Sequence, residues 1–322
     1  MAGYNTIRGL RVKYLSADPA NPEDGQVWYN STTGNLRLDG IALAGSWASG
    51  GNTNTALGTT AGNGSQTSAI IMGGADTLNN SELYNGSAWT AAPTLNTGRY
   101  GAGEATQAPQ TAALLFAGVV TDTAKSETEE WNGSSWSEVN DMPADIKQLA
   151  GAGTQTAALS IGGSISGSNN AESYIYNGTD WTAAGNMNTA RERAAAFGTQ
   201  TAAVAVGGSP PLVNNVEEYD GSAWTAVTVY PTNIGMAAAA GILTAGLVFS
   251  GNVPPTTGNT NSYDGTNWTA QPSMATARQG GAGAGTSTSA LMASGANSGG
   301  TAVTTTEEFT GASTQIKNLS TS

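Results

Sequence analysis

Short apolar runs alternate with polar turns along most of this chain, and the same order of segments recurs six times. Each unit starts with small residues and a polar turn, continues through an apolar run ending in glycine, and reaches a stretch that is usually Glu-x-aromatic. Apolar runs of this length, bounded by turn residues, are typical of β-strands. The glycine-ended runs span 69–74, 112–118, 157–163, 202–208, 246–251 and 290–295. The pattern predicts an all-β protein.

An aromatic residue, an Asn-Gly or Asp-Gly turn and a tryptophan follow one another at the end of five units, as in Tyr84-Asn85-Gly86…Trp89. Such dipeptides favour two-residue hairpin turns, because both central positions of those turns need positive φ. The tryptophans, counted from Trp47 to Trp268, recur every 42 to 47 residues. This is the period of a four-stranded propeller blade.

The sixth unit lacks its tryptophan, because Phe309-Thr310-Gly311 is followed by Thr314 where the other units have Trp. Trp47, in Gly45-Ser46-Trp47, is available near the other end of the chain. We therefore expect residues 41–316 to form a six-bladed propeller, with 41–50 supplying the closing strand of the last blade. Residues 317–322 are expected to form a C-terminal tail.

The order Arg…Gly-Gly…Glu-x-Tyr…Trp resembles a kelch repeat over roughly residues 41 to 316. The resemblance implies a kelch-like β-propeller that closes by pairing strands from the two ends of the chain. The fifth unit departs from the pattern, since Ser250-Gly251 replaces Gly-Gly and Asn261 replaces Glu.

Residues 1–40 do not repeat, and they predict a separate arm that contains a hairpin with the four-residue turn 31–34. The stretch 25–36, Gly-Gln-Val-Trp-Tyr-Asn-Ser-Thr-Thr-Gly-Asn-Leu, resembles the front end of bacteriophage fibre and appendage proteins, especially those of marine phages. That resemblance implies docking of this arm onto other virion structural proteins. A second interpretation is that the arm simply lies against the propeller. The residues expected to dock combine cationic and aromatic groups that suit interfaces; they are Tyr4, Arg8, Arg11, Lys13, Tyr14, Trp28 and Tyr29.

The composition narrows the possible chemistry. The chain has no Cys and no His, which excludes thiol catalysis, His-dependent triads and imidazole metal sites, and we expect no cofactor and no metal. The net charge of −12 makes a nucleic-acid partner unexpected. No apolar run approaches the ~20 residues that span a bilayer, so we expect no membrane insertion.

Arginine alternates with an aliphatic residue at one repeat position, which reads Leu57, Arg99, Ile146, Arg191, Ile234 and Arg278. One interpretation is a three-fold anion clamp, because guanidinium groups bind carboxylates bidentately. The other interpretation is scaffolding, in which each arginine pairs with the glutamate of the Glu-x-aromatic stretch. The glutamates available for this pairing are Glu82, Glu129, Glu217 and Glu307.

The sequence as a whole favours a non-enzymatic virion protein, a tail fibre, appendage or capsid-surface decoration located on the particle surface. Its propeller would bind neighbouring proteins or a host-surface glycan or protein through six variable loops expected on one face: 75–80, 119–126, 164–170, 209–215, 252–260 and 296–305. The alternatives are a polysaccharide-degrading or glycan-binding receptor protein on the same scaffold, and a non-viral kelch adaptor. Repeat-equivalent acidic residues single out no catalytic pair, so no catalytic residue is expected.

Overall fold

The computed structural model describes residues 12–20, 26–39, 45–75, 78–312 and 316–318. Within these residues all extended regular structure is β-strand. The first strands are β1 (Lys13–Leu15), β2 (Val27–Asn30), β3 (Asn35–Asp39), β4 (Ser46–Ser49), β5 (Ala61–Ser65), β6 (Ser68–Met72), β7 (Ser81–Tyr84), β8 (Trp89–Ala92), β9 (Gly103–Glu104), β10 (Leu114–Val120), β11 (Thr123–Trp131) and β12 (Trp136–Val139). The next are β13 (Ala150–Thr154), β14 (Ala157–Ile161), β15 (Ser164–Ile165), β16 (Ser168–Asn169), β17 (Ser173–Tyr176), β18 (Trp181–Ala183), β19 (Ala195–Thr199), β20 (Ala202–Val206), β21 (Val216–Tyr219) and β22 (Trp224–Ala226). The last are β23 (Ala238–Ile242), β24 (Ala245–Phe249), β25 (Thr260–Tyr263), β26 (Trp268–Gln271), β27 (Ala282–Thr286), β28 (Ser289–Ala293), β29 (Thr306–Thr310) and β30 (Ile316–Asn318).

The chain divides into two compact units, one formed by residues 1–45 together with 311–322 and the other by residues 46–310. The first unit contains a four-stranded sheet in the order β1-β2-β3-β30, called here the N-terminal sheet. The β2–β3 hairpin has the predicted four-residue turn, because Asn30 pairs with Asn35. Strand β30 pairs with β3, so residues 316–318 belong with the N-terminal segment instead of forming the end of the repeats and a separate tail.

Asp18 binds three side chains of the N-terminal sheet. Its carboxylate accepts hydrogen bonds from Trp28 Nε1 at 2.9 Å and Asn30 Nδ2 at 2.8 Å, and forms an ion pair with Arg37 at 2.7 Å. The hydrogen bonds from Asn30 and Trp28 lower the pKa of the Asp18 carboxyl, and Arg37 adds to this effect. The indole of Trp28 is therefore fixed by a specific partner and is not held by apolar burial alone.

Residues 46–310 form six four-stranded antiparallel sheets, which fit a propeller-like fold. They are called sheet 1 (β5–β8), sheet 2 (β9–β12), sheet 3 (β13, β14, β17, β18), sheet 4 (β19–β22), sheet 5 (β23–β26) and sheet 6 (β27, β28, β29, β4). The fourth strand of sheet 6 is β4, which places Trp47 opposite Phe309. Trp89 lies opposite Tyr84 in the same register in sheet 1.

Six buried apolar clusters fill the spaces between consecutive sheets. One of them joins sheets 6 and 1 through Leu57, Ile71, Trp89, Ala282 and Leu291. The others join sheets 1 and 2, 2 and 3, 3 and 4, 4 and 5, and 5 and 6. Each sheet is thus covered on both faces, which explains why the second strand of each unit is a nearly continuous apolar run.

The first strands of the sheets pack so closely that large side chains do not fit at most positions. A Cβ atom on Gly151 would lie 2.2 Å from the carbonyl oxygen of Glu104, and one on Gly62 would lie 2.6 Å from the Cβ of Ala282. The small-residue runs of the sequence are these strands. Close backbone approach between neighbouring sheets is the physical reason for them.

The Asn/Asp-Gly turns differ from the two-residue hairpins expected from the sequence. Tyr84 pairs with Trp89, so the loop has four residues. Asn85 Oδ1 accepts hydrogen bonds from the backbone N–H groups of Ser87 and Ala88, and Gly86 has a φ of 89°. The Asn or Asp is therefore selected for this side-chain hydrogen bonding, and only the glycine supplies a positive φ.

A glutamine in the turn after the first strand connects each of the first four sheets to the preceding one. Gln110 Nε2 donates to the carbonyl oxygens of Ala69 and Tyr84, both at 2.7 Å. Gln155 of sheet 3 and Gln200 of sheet 4 each make the same pair of contacts with the sheet before their own. Gln66 of sheet 1 donates in the same way to Ala290 and Phe309 of sheet 6.

This arrangement predicts that Gln66→Ala and Gln155→Ala destabilise the protein equally, by about 1 kcal/mol each. Each substitution removes one side-chain amide that satisfies two main-chain carbonyls. Urea denaturation of the two variants beside the parent protein measures both effects. A Gln66→Ala variant with the stability of the parent would contradict the contact between sheets 1 and 6.

Candidate functional site

The three arginines of the alternating repeat position are buried inside the second unit. Arg99 and Arg278 are fully inaccessible and Arg191 is 2% exposed. Each forms an ion pair with the glutamate of its own sheet: Arg99 with Glu129, Arg191 with Glu217 at 3.3 Å, and Arg278 with Glu307 at 2.8 Å. This geometry corrects the anion-clamp interpretation, because a buried guanidinium that is ion-paired within the fold does not reach an anion in solution.

The same glutamates hold the loop that leads to the arginine. In sheet 4, Glu217 accepts hydrogen bonds from the backbone N–H groups of Asn188 and Thr189. In sheet 1, where the arginine position is Leu57, Glu82 accepts the equivalent hydrogen bonds from Asn54 and Thr55. The glutamate is present in sheets 1, 2, 4 and 6, and only three of these four sheets also have the arginine, so the loop contact does not require the arginine.

A second set of polar pairs connects adjacent sheets, one pair at every other interface between them. Tyr84 donates to Glu308 at 2.5 Å, Tyr176 to Glu130 at 2.9 Å and Tyr263 to Glu218 at 2.7 Å. Burial raises the pKa of Tyr84 to about 12, with its hydrogen bond to Glu308 adding to the shift, and raises the pKa values of Tyr176 and Tyr263 in the same way. These tyrosines remain neutral donors at ordinary pH, and they serve as structural connections.

The residues expected to dock divide into two groups. Tyr4, Arg8 and Arg11 lie outside the described residues. Of the others, Trp28 is completely buried, which removes its side chain from the expected docking surface, and Tyr29 is partly buried. Tyr14 is 77% exposed and its ring centroid lies 4.9 Å from that of Tyr29, while Lys13 is exposed beside it. Lys13, Tyr14 and Tyr29 therefore define what is called here the N-terminal surface patch.

The second unit has a polar cavity where the first strands of its six sheets begin. Six repeat-equivalent residues surround it, namely Thr59, Gly101, Gln148, Arg193, Met236 and Gly280. All six have a φ between 52° and 60°, although four of them are not glycine. Such a conformation is uncommon for non-glycine residues, and for the β-branched Thr59 it is a clear outlier.

Main-chain hydrogen bonds connect these six positions in order. Gly101 N–H donates to the carbonyl oxygen of Thr59, and the same contact is repeated from Gln148 to Gly101 and from Arg193 to Gln148. It continues from Met236 to Arg193 and from Gly280 to Met236, and Thr60 N–H donates to Gly280. The sixth bond thus returns to the sheet from which the first one started. The unusual φ values are explained by this hydrogen-bonding arrangement.

The cavity has a volume of about 80 Å³, enough for more than one water molecule. At the other end of the first strands, Gln107 Nε2 donates to the carbonyl oxygen of Gly241 at 2.7 Å. Gln107 belongs to sheet 2 and Gly241 to sheet 5, so this contact spans the interior between two non-adjacent sheets. Ligand access is therefore expected from the end where Thr59 and Arg193 lie.

Glu104, which is partly buried, is one of the residues that line this cavity. Desolvation raises its pKa to about 8, so this carboxyl is mostly protonated at neutral pH. The side chain of Arg193, which also lines the cavity, has its Nε 3.4 Å from Glu192 Oε1. The cavity therefore combines a desolvated acid with a cation that has an acidic neighbour of its own.

The raised pKa of Glu104 predicts a pH-dependent stability. A carboxyl whose pKa is higher in the folded than in the unfolded state stabilises the fold below the unfolded value near 4.5, and this contribution is lost as the pH rises toward 8. Glu104→Gln is therefore expected to increase the free energy of unfolding at pH 8, by on the order of 3 kcal/mol, and to leave it nearly unchanged at pH 4. Denaturant unfolding at the two pH values measures this difference, and an equal effect at both would contradict it.

Among the described residues, no cluster of three or more Asp and Glu side chains is arranged to hold a metal ion. No helix in the described part of the chain is long and apolar enough to cross a membrane.

Comparison with known proteins supports the fold. No protein-family model matches the chain, and no curated protein matches it. Among solved structures, one titled "Structure of YjhT" superposes with a TM-score of 0.68 over 83% of this chain and 99% of its own length, at 14% sequence identity. An identity this low shows a similar fold and carries no functional conclusion.

Glu104 and Arg193 were not among the candidate residues selected from the sequence. The sequence did contain one signal for Glu104. In the first strand of the other five sheets, the position equivalent to Glu104 holds Gly62, Gly151, Ala196, Ala239 and Gly283. A glutamate at a position that otherwise holds only glycine or alanine is the exception in this array. It was hidden because β9 has two residues and is followed by a longer turn, which shifts the apparent alignment.

Proposed function

We propose that residues 46–310 form a closed, six-bladed, kelch-like propeller completed by β4, and that the protein is a non-enzymatic bacteriophage virion component. Three observations support the closed propeller. The six main-chain hydrogen bonds return from sheet 6 to sheet 1, Trp47 takes the place opposite Phe309, and Gln66 contacts sheet 6 as Gln110 contacts sheet 1. Each contact between sheets 6 and 1 has a counterpart between other sheets.

The N-terminal surface patch is the observation that carries the proposed docking function. The exposed ring of Tyr14 lies against the ring of Tyr29, so the patch presents two adjoining tyrosines, a residue type that is enriched at protein interfaces. The neighbouring Lys13 and Tyr29 give this patch the cationic and aromatic character of interface residues. It belongs to the unit whose sequence resembles the front end of phage appendage proteins, and this unit would attach the protein to other virion proteins.

The propeller would then present its variable loops to neighbouring proteins or to a host surface. The segments 119–126, 164–170, 209–215, 252–260 and 296–305 all form isolated bridges with residues near the cavity mouth, such as Tyr100 with Val119 and Gln279 with Ala296. The first two segments were expected to be loops, but they are largely strand: 119–126 is the end of the β10–β11 hairpin, and 164–170 contains β15 and β16. All five segments therefore share one face with the cavity. A rigid scaffold that displays varied loops on one face suits recognition.

A polysaccharide-degrading enzyme is the alternative, and the cavity gives it limited support. Hydrolysis of glycosides generally needs two carboxyl groups on either side of the scissile bond. Glu104 is the single acidic residue among those that line the cavity. Glycan binding without cleavage remains compatible with the same loop face.

The docking proposal is tested by measuring incorporation into particles. Host cells infected with a phage lacking the gene would supply either the parent protein, Tyr14→Ala, or Tyr174→Phe as a control. Tyr174 is buried in sheet 3 and its hydroxyl donates to Glu172, so Tyr174→Phe alters a tyrosine outside the N-terminal unit. We expect Tyr14→Ala to reduce the copy number per purified particle at least tenfold and Tyr174→Phe to leave it unchanged. Equal incorporation of both variants would contradict docking through the N-terminal surface patch.

A further inference from the structure

The lining of the cavity in the second unit includes an ionisable residue, Glu104, that the proposed virion role does not use. Glu104 lies where the five equivalent residues are glycine or alanine, in a wall so close-packed that an added Cβ at Gly151 would collide with Glu104's own carbonyl. No other described residue forms an ion pair with the Glu104 carboxylate. Desolvating an unpaired carboxylate is costly, so the fold alone gives no reason for a glutamate here.

The surroundings of Glu104 determine which ligand would compensate for this cost. The lining includes Thr59, Thr60 and Gln148, whose side chains carry oxygen atoms that can accept hydrogen bonds, while most of the other lining residues are small or apolar. The Thr60 hydroxyl donates to the carbonyl oxygen of Met72 and keeps its lone pairs as acceptors. Arg193 is the other charged residue in the lining, and Glu192 lies beside its guanidinium. A small cation that donates several hydrogen bonds would match both the carboxylate and these acceptors.

We propose that this cavity binds the ammonium group of a primary amine, with the Glu104 carboxylate as its counterion and the hydroxyl groups of Thr59 and Thr60 as neighbouring acceptors. The alkyl part of such a ligand would extend out of the cavity past Arg193 and Met236 toward the loop face. A lysine side chain or the amine of an amino sugar has this chemistry. The net charge of −12 favours the approach of cations to the protein in general.

Binding of an ammonium group would be linked to the release of a proton. The Glu104 carboxyl is mostly protonated below its pKa of about 8, and only its ionised form attracts a cation. The other charged groups at the cavity are Arg193 in its lining and Glu192 beside Arg193. The affinity should therefore rise about 50-fold between pH 6 and pH 8, following the ionised fraction of Glu104.

The test is a titration of the full-length protein with ¹³C-labelled methylammonium, followed by NMR at pH 6, 7 and 8. We expect saturable binding that strengthens with pH and is weakened at least tenfold by Glu104→Gln. Glu138→Gln changes an exposed glutamate on β12 and serves as the matched control, with binding equal to that of the parent protein. Methanol, which has the same size without the charge, should not bind.

A second variant keeps the proposal testable if Glu104→Gln alters the fold. Arg193→Gln is expected to be tolerated, because the repeat-equivalent residue in sheet 3 is Gln148, which has the same positive φ. Removing the guanidinium charge should strengthen methylammonium binding several-fold. Absence of saturable binding at pH 8, equal binding by Glu104→Gln, or unchanged binding by Arg193→Gln would overturn the proposal. The proposal does not depend on the virion role, because its measurements use the isolated protein.

Discussion

Glu217→Leu is expected to destabilise the protein by about 3 to 5 kcal/mol, whereas Arg191→Leu is expected to cost only about 1 kcal/mol. Removing the carboxylate leaves the Arg191 guanidinium buried without a counter-charge and leaves the N–H groups of Asn188 and Thr189 without their acceptor. Denaturation in urea, with circular dichroism as the signal, measures both variants.

The small cost expected for Arg191→Leu follows from sheet 1, which already contains this arrangement. There Leu57 takes the arginine position, and Glu82 still accepts hydrogen bonds from Asn54 and Thr55. Glu82 is as buried as Glu217, so an arginine is not required to keep this carboxylate inside the fold. A larger loss for Arg191→Leu than for Glu217→Leu would show that the ion pair, and not the loop anchor, is the dominant contribution.

Trp47→Ala is expected to cost about 3 kcal/mol, as large a loss as the equivalent substitution inside the continuous repeats. Trp47 packs against Phe249 and Phe309 with ring-centroid distances of 5.1 and 5.2 Å, and its Nε1 donates to Thr260 at 3.0 Å. Trp47 therefore connects sheet 6, to which β4 belongs, with sheet 5, although its partner Thr260 lies 213 residues later in the sequence.

Trp268→Ala is the matched control for Trp47→Ala, because both tryptophans are partly buried in the fourth strand of a sheet. Trp268 stacks on Tyr263 and donates to the carbonyl oxygen of Thr228. Similar losses for the two variants would support β4 as an integral strand of a closed propeller. A loss below about 0.5 kcal/mol for Trp47→Ala alone would indicate that β4 is peripheral.

The sequence predicted those features that the repeat makes visible. The spacing between the aromatic residue and the tryptophan, as from Tyr84 to Trp89, predicted the third and fourth strands of the repeating sheets. The incomplete unit at Phe309 predicted that Trp47 is the partner of Phe309, and the two residues do pair. The pairing of Arg278 with Glu307 was one of two open interpretations, and burial decides for it. Periodic signals of this kind succeed because each unit packs against neighbours with the same requirements.

Other features depended on contacts that no local pattern contains. Pairing of β30 with β3 brings residues 316–318 beside the N-terminal hairpin, and three residues carry too little periodicity to indicate a partner. The burial of Trp28 follows from its hydrogen bond to Asp18, ten residues earlier across a turning segment. The cavity depends on six φ values and on the position of Glu104, which become apparent only after the sheets are superposed in register.

The most direct test of the virion proposal is gold-labelled antibody against residues 46–310, applied to intact particles of the phage that encodes the protein and viewed by electron microscopy. Labelling at discrete positions on the head or tail, absent from particles lacking the gene, is the predicted result. Protein that remains free in the lysate and never labels a particle would contradict the virion role.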